Sequence, residues 1–319
     1  MISIQTECII VISMKRKVKD IINTKEDVAK DGKEKVEERK SKRKVIEKET
    51  NGNGKPESAK KPEKPPSTKK EPLAAKSLLN KDSVFETITD STTDFEGIFD
   101  ALAEEIINNS VLMVCDSPLR FREIEFYVNH PNHPDKYTHS DVDQRRASCW
   151  YFHKIGKTYR GGTYKGLDIS IGGKNHFGGI LIRSLLDQST GDIIEGSCLC
   201  VNHMIKLVKA KYPEIDSIQG IVSHPKYNEK VLDTTGIIHI EKPDAKEVKY
   251  KYYKGTRVGL SQKYPEYLNK LYRYIVLPAK VKKGKDTLVK ALLEQGISKR
   301  EVQSLTGATL ALIDKVAAS

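Results

Sequence analysis

The sequence predicts a single mixed α+β domain carried behind a long basic tail, and three observations lead there. No Phe, Tyr or Trp occurs before Phe85. Lys and Arg crowd Lys15 to Lys76 among Glu, Pro, Ser and the run Asn51-Gly52-Asn53-Gly54. From Asp94 onward, stretches with helical spacing alternate with short apolar runs of strand length, the pattern of helices packed on a sheet.

The tail comes first. A segment this polar cannot bury enough apolar surface to offset its chain entropy, so residues 1–82 are expected to be disordered. Residues 15–76 hold 21 Lys/Arg against 12 Asp/Glu, an excess of nine within the chain's formal net charge of +12. The body is therefore nearly neutral, and the tail supplies most of the long-range attraction to phosphate backbones. Lys15-Arg16-Lys17 and Ser41-Lys42-Arg43-Lys44 have the composition of nuclear-import patches. The apolar run Ile9-Ile10-Val11-Ile12 is far too short to cross a bilayer and has no basic region before it. Met14 opens the basic run and is an alternative start. Five cysteines make an odd count without secretory context, which argues against a disulfide framework. The expected setting is intracellular and nuclear, with no membrane partner and a monomeric chain.

The folded body is expected over residues 83–282. Asp94 is a candidate N-cap for a helix with Phe95, Ile98, Leu102 and Ile106 on one face. Val111 to Cys115 and Phe121 to Val128 read as a hairpin turned at Asp116-Ser117-Pro118. Residues 129–163 lack a clear period and read as long loops around the aromatic segment Trp150-Tyr151-Phe152, which is expected to be core. Leu167 to Ile171 and Gly179 to Ser184 read as buried strands, Leu199 to Lys209 as a helix, and Tyr272 to Val276 as a last strand.

Residues 285–319 read as three short helices broken at Gly296 and Gly307. Val302, Leu305, Leu310, Ile313 and Val316 fit the inward positions of a helix-turn-helix. The third helix carries only Lys315 as a base, whereas a DNA-reading helix presents several polar side chains to base edges. A small structural or partner-binding bundle is the stronger reading.

Glu125 and Tyr127 are two apart on a strand and face one side, with His139 on the loop that follows. A carboxylate beside flat rings suits a site that sandwiches an extruded base and activates water against its sugar carbon, although an acid and a tyrosine alternating on a strand are more often a solvated face. Metal ligation is the competing use of the loop histidines. His130, His133 and His139, extended by Cys198, Cys200 and His203, could form a Cys/His zinc set. The prolines at 131 and 134 and the apolar setting of the cysteines favour a rigid loop and buried packing instead, and no metal is expected.

At these residues the chain resembles the methylpurine-DNA glycosylase family, also called alkyladenine glycosylase. The family's helix and strand pair match Phe95 to Val128, and its Glu-x-Tyr motif matches Glu125-Phe126-Tyr127. Its loop histidine matches His139, and its strand ending in arginine matches Gly179-Ile180-Leu181-Ile182-Arg183-Ser184. Its late glycine-flanked turn and aromatic strand match Gly255-Thr256-Arg257-Val258-Gly259-Leu260 and Tyr272-Arg273-Tyr274-Ile275-Val276.

The resemblance spans roughly Asp94 to Pro278. It implies a monofunctional hydrolase of base excision repair that removes alkylated purines from DNA, using no cofactor, metal or covalent intermediate. Glu125 would activate water, while Tyr127 and His139 would stack on the flipped base with Tyr159 as a third wall. Arg160, Tyr164, Arg183 and Arg257 would face nucleic acid.

Two departures stand out. Asp168 falls where the family has an asparagine that helps reject guanine, and a carboxylate lacks the donor of an amide. The family's tyrosine wedge precedes a glycine, whereas this chain has Gly161-Gly162, leaving Arg160 or Tyr164 as substitutes and RNA or single strands open as substrates. The alternative implied by these departures is a non-catalytic nucleic-acid-binding or partner-binding protein that keeps the fold.

Overall fold

The alternation along residues 123–128 sets the architecture. Ile124, Phe126 and Val128 point to one face of a strand and Glu123, Glu125 and Tyr127 to the other, as the period of a strand requires. In the computed structural model, which describes residues 84–244 and 248–318, this strand is β2, Ser117–His130. The basic tail expected over residues 1–82 lies outside the described residues. The apolar face of β2 packs on helix α1, Phe95–Asn108, with the Phe99 and Phe126 rings stacked at 4.6 Å. Each such fully buried ring contributes about 1.5–3 kcal/mol of transfer free energy. Asp94 caps α1 as expected, its carboxylate accepting the Gly97 N–H at 2.9 Å.

The fold is a mixed α+β domain. Its sheet runs in the order β10 (Ile238–Glu241), β1 (Val111–Val114), β2, β8 (Phe177–Asp187), β7 (Leu167–Ser170) and β4 (Trp150–Phe152). All of its pairings are antiparallel. A further pair, β11 (Tyr253–Gly255) and β12 (Arg273–Ile275), joins through β12 to residues 123–125 of β2. The short strands β3 (His133–Pro134) and β9 (Ile193–Glu195) extend β2 and β8, while β5 (Lys154–Ile155) and β6 (Thr158–Tyr159) form a separate hairpin.

The expected hairpin forms, with its turn one residue earlier than predicted: Val114 pairs with Ser117, and Cys115 adopts a left-handed φ of 53°. Trp150, Tyr151 and Phe152 are core, as expected. Strand β10 had no sequence prediction; its Ile238 and Ile240 are buried against β1.

Helix α2, Ser197–Lys211, covers β8 with Cys200, Val201, Met204 and Val208, and α3 is the short helix Ile218–Val222. Three helices follow as predicted: α4 (Lys285–Glu294), α5 (Lys299–Thr306) and α6 (Leu310–Ala317). They share a second apolar cluster with Ile275 and Val281, in which Val302 and Ile313 are fully buried. Leu310 was expected inward but is half exposed at the first turn of α6. The Ala308 side chain is buried in that cluster instead.

Candidate active site

The polar face of β2 is buried rather than solvated, because loop 256–264 and the arginine side chains of the neighbouring strands, Arg183 and Arg273, cover it. Glu125 is fully buried. Its Oε2 accepts the Tyr127 hydroxyl at 2.7 Å and its Oε1 accepts the Val258 N–H at 2.9 Å. Arg183 approaches Oε1 at 3.5 Å and Arg273 at 3.9 Å. Both arginines bond Glu123 more closely, at 2.9 and 2.8 Å. Burial opposes the Arg183 charge, yet Glu125 and Glu123 hold its guanidinium charged, above its ordinary range. A buried carboxylate of this kind persists only when paired and hydrogen-bonded.

Tyr127 joins this cluster to a cavity of about 360 Å³ lined by Tyr137, His139, Gln144, His153, Asp168, Leu181 and residues 258–261. Burial and the Glu125 charge raise its pKa well above the ordinary tyrosine value, so it remains a donor to Glu125. The Arg257 guanidinium stacks 4.4 Å from the Tyr127 ring centroid. Loop 256–264 is pinned to the site: Tyr137 donates to the Ser261 carbonyl and accepts the Tyr264 N–H.

The opposite wall comes from β7 and the segment after β4. Asp168 Oδ1 lies 2.7 Å from His153 Nε2, and Oδ2 accepts from Gln144 Nε2 at 3.1 Å. The arrangement needs Gly179 on β8, where a Cβ would sit 2.5 Å from Asp168 Oδ2. Asp168 is thus held by His153 and Gln144. The His139 ring packs 4.2 Å from that of His153, and its Nδ1 is 3.4 Å from the Tyr151 hydroxyl. Desolvation and then His153 hold its pKa down to about 4, so the ring is neutral at neutral pH.

Of the sequence-predicted residues, the structure gathers Glu125, Tyr127, His139 and Asp168. Tyr159 is not in the cavity wall. It sits on the β5–β6 hairpin, packs edge-on to Phe152, and lines a different cleft of about 590 Å³ with Lys157, Arg160 and Lys165. His153 occupies the wall that Tyr159 was expected to form. Arg160 shares the Tyr159 cleft, and Tyr164 is 71% exposed on the turn after Gly161. Arg183 and Arg257 do not face outward as nucleic-acid contacts. Arg257 is buried, its Nη1 bonding Asp135 at 2.5 Å and the Phe126 carbonyl at 3.0 Å, because the interior carboxylates need cations.

The competing zinc set does not assemble. His133 bonds the Val128 carbonyl and the Tyr272 hydroxyl, His203 pairs with Asp187, Cys200 is buried in α2, and Cys198 donates to the Gly162 carbonyl.

Sequence reading missed His153, Gln144, Tyr137 and the Val258 amide. Only His153 carried a signal, as a polar ring directly following the buried aromatic strand.

No family model matches the chain. It is 36% identical over 208 residues to an uncharacterized protein, L759, of Acanthamoeba polyphaga mimivirus, and the match covers 60% of this chain and 92% of that protein. With that identity across nearly the whole viral protein, the chain belongs to the same family as the mimivirus protein.

Proposed function

We propose that the protein hydrolyses the bond between a damaged purine and its sugar in DNA, with Glu125 activating the attacking water. The observation that carries this reading is a buried carboxylate behind a ring-lined cavity. Glu125 is joined to Tyr127, and across the cavity stand the neutral His139, His153 and the acceptors of Asp168. The cavity volume is in the range that holds a small planar ligand.

A base extruded from the stack enters between Tyr127 and the His139–His153 pair. Oε2 of Glu125 has one lone pair beyond the Tyr127 bond and takes a proton from water as its oxygen attacks the sugar C1′. The bond from C1′ to the base nitrogen breaks, the electron pair leaves with the base, and the Glu125 charge stabilises the cationic sugar on the way. The Asp168 carboxylate accepts from an amino or ring N–H edge of the base.

The test is release of methylated purines from alkylated single- and double-stranded DNA by wild type and Glu125→Gln. Loss of release by about 100-fold or more in the variant is expected, and equal release from both would overturn the role of Glu125.

A second reading draws on two observations. Both Glu125 oxygens are already bonded, and Gly161 and Gly162 offer no side chain to fill the gap left by a flipped base. In that reading the protein binds nucleic acid or a partner without cleavage. Salt-dependent DNA binding with no base release from wild type would favour it.

Base excision repair of nuclear DNA also requires import. The basic clusters at Lys15–Lys17 and Lys42–Lys44 support that role, and replacing both with Ser is expected to abolish nuclear accumulation of a fluorescent fusion. Among the described residues no helix is long and apolar enough to cross a membrane.

A further inference from the structure

We propose that Asp90, His130 and His176 form a binding site for one divalent ion of zinc type, separate from the Glu125 cavity. The three residues come from the segment before α1, the end of β2 and the turn that leads into β8. One nitrogen from each ring and one carboxylate oxygen all lie within 4.8 Å of one another. Two imidazoles and a carboxylate are donors that suit zinc, with a fourth position left to water.

His176 is the residue that demands an explanation. It is 2% exposed, and its ring nitrogens have no hydrogen bond of ordinary length, only looser contacts with the Asp90 carboxylate at 3.7 Å and the Ile88 backbone. Leaving a polar ring so placed costs roughly 1–3 kcal/mol. Its ring is fixed tightly: a Cβ on Gly173 would lie 2.6 Å from the His176 ring, and residues 173 and 176 pair as an isolated bridge. From this position Nδ1 faces Asp90 Oδ1 at 3.7 Å, and the ring centre lies 5.0 Å from that of His130.

The surroundings supply the outer bonds such a site uses. Asn175 donates to the other Asp90 oxygen at 2.5 Å. His130 Nδ1 accepts the Asn132 N–H at 3.0 Å, which places the ring proton on Nε2, bonded to the Thr89 carbonyl at 3.1 Å. A metal-binding imidazole commonly keeps its other N–H on a backbone carbonyl, as here. Metal binding requires His130 to give up the Asn132 bond, on an exposed turn. Ligand atoms around a tetrahedral ion sit about 3.4 Å apart, so the gap must close by roughly 1 Å. Asp90, with its side chain 63% exposed, is free to make that movement.

Occupied, the site would clasp residues 84–94 to the sheet. Val84, Phe85 and Ile88 of that segment already join the core, and the ion would lock its end beside α1.

Zinc titration of the chelator-stripped, untagged full chain by calorimetry tests the proposal. One ion per chain is expected with a dissociation constant of about 10 μM or tighter. Asp90→Asn changes an exposed side chain and His176→Gln keeps a similar volume; each is expected to weaken binding at least about 10-fold with an unchanged circular dichroism spectrum. His203→Gln, at the Asp187 pair, is expected to bind zinc as wild type does. Cobalt bound in place of zinc should give the intense visible absorption of a tetrahedral site. No saturable binding below about 100 μM, or wild-type affinity in both Asp90→Asn and His176→Gln, would overturn the proposal.

Discussion

At the scale of single residues, the hydroxyl of Tyr127 decides how Glu125 is held. In Tyr127→Phe, Glu125 Oε2 loses its donor at 2.7 Å, and the charge stays buried. The expected cost is roughly 1–3 kcal/mol in urea denaturation, with no change in the slope. His139 gives a pH dependence. Its folded pKa of about 4 lies below the ordinary ~6.5, so between these values the unfolded chain binds the proton and the folded chain does not. Its contribution to stability is therefore complete above about pH 6.5 and is lost as pH falls toward 4. Thermal melts across that window should show a shallower decline for His139→Gln than for wild type.

Glu125, Tyr127 and His139 were legible because strand alternation places two of them on one face and the third follows on the adjoining loop. His153 was not, because the β5–β6 hairpin carries Tyr159 away from the cavity and leaves the residue just after the aromatic strand in its place. The arginines were misread for a physical reason that the sequence did hold. Glu123, Glu125 and Asp135 flank apolar residues of a buried strand and its loop, and acids so placed draw cations inward.

At the scale of elements, the caps predicted from sequence can be tested one by one. Asp94→Ala removes the bond to the Gly97 N–H and is expected to cost about 1 kcal/mol of stability. Gly307 ends α5 with a left-handed φ of 64°, so Gly307→Ala should cost about 1 kcal/mol through backbone strain, with Gly307→Asn less affected. Gly179→Ala acts differently, since its Cβ would press on Asp168 and Gln144. A double mutant with Gln144→Ala is expected to recover part of that loss. Helices and long strands were readable because caps and periodicity are local properties. Strand β10 escaped notice because four residues give too short a period, and its place beside β1 depends on a contact more than a hundred residues away in sequence.

At the scale of the whole molecule, charge and architecture are separated along the chain. The folded body is nearly neutral and much of its charge is tied up in ion pairs such as Arg257 with Asp135 and Arg273 with Glu123. Affinity for nucleic acid in the proposed function therefore falls largely to residues 15–76, where most of the net positive charge resides. Deletion of residues 1–82 is expected to weaken DNA binding and flatten its dependence on salt, while base release from a short, saturating substrate is retained; filter binding across a salt series would measure both.

Strand β2 has one more consequence. Its residues 123–125 are bonded to β8 on one side and β12 on the other, and the Phe126 amide is bonded to the Tyr272 carbonyl. Amides here should exchange with deuterium last, at the rate set by global unfolding. Glu125 would then sit in the stretch slowest to open, and the protection of its amide would report the free energy of unfolding the entire native state.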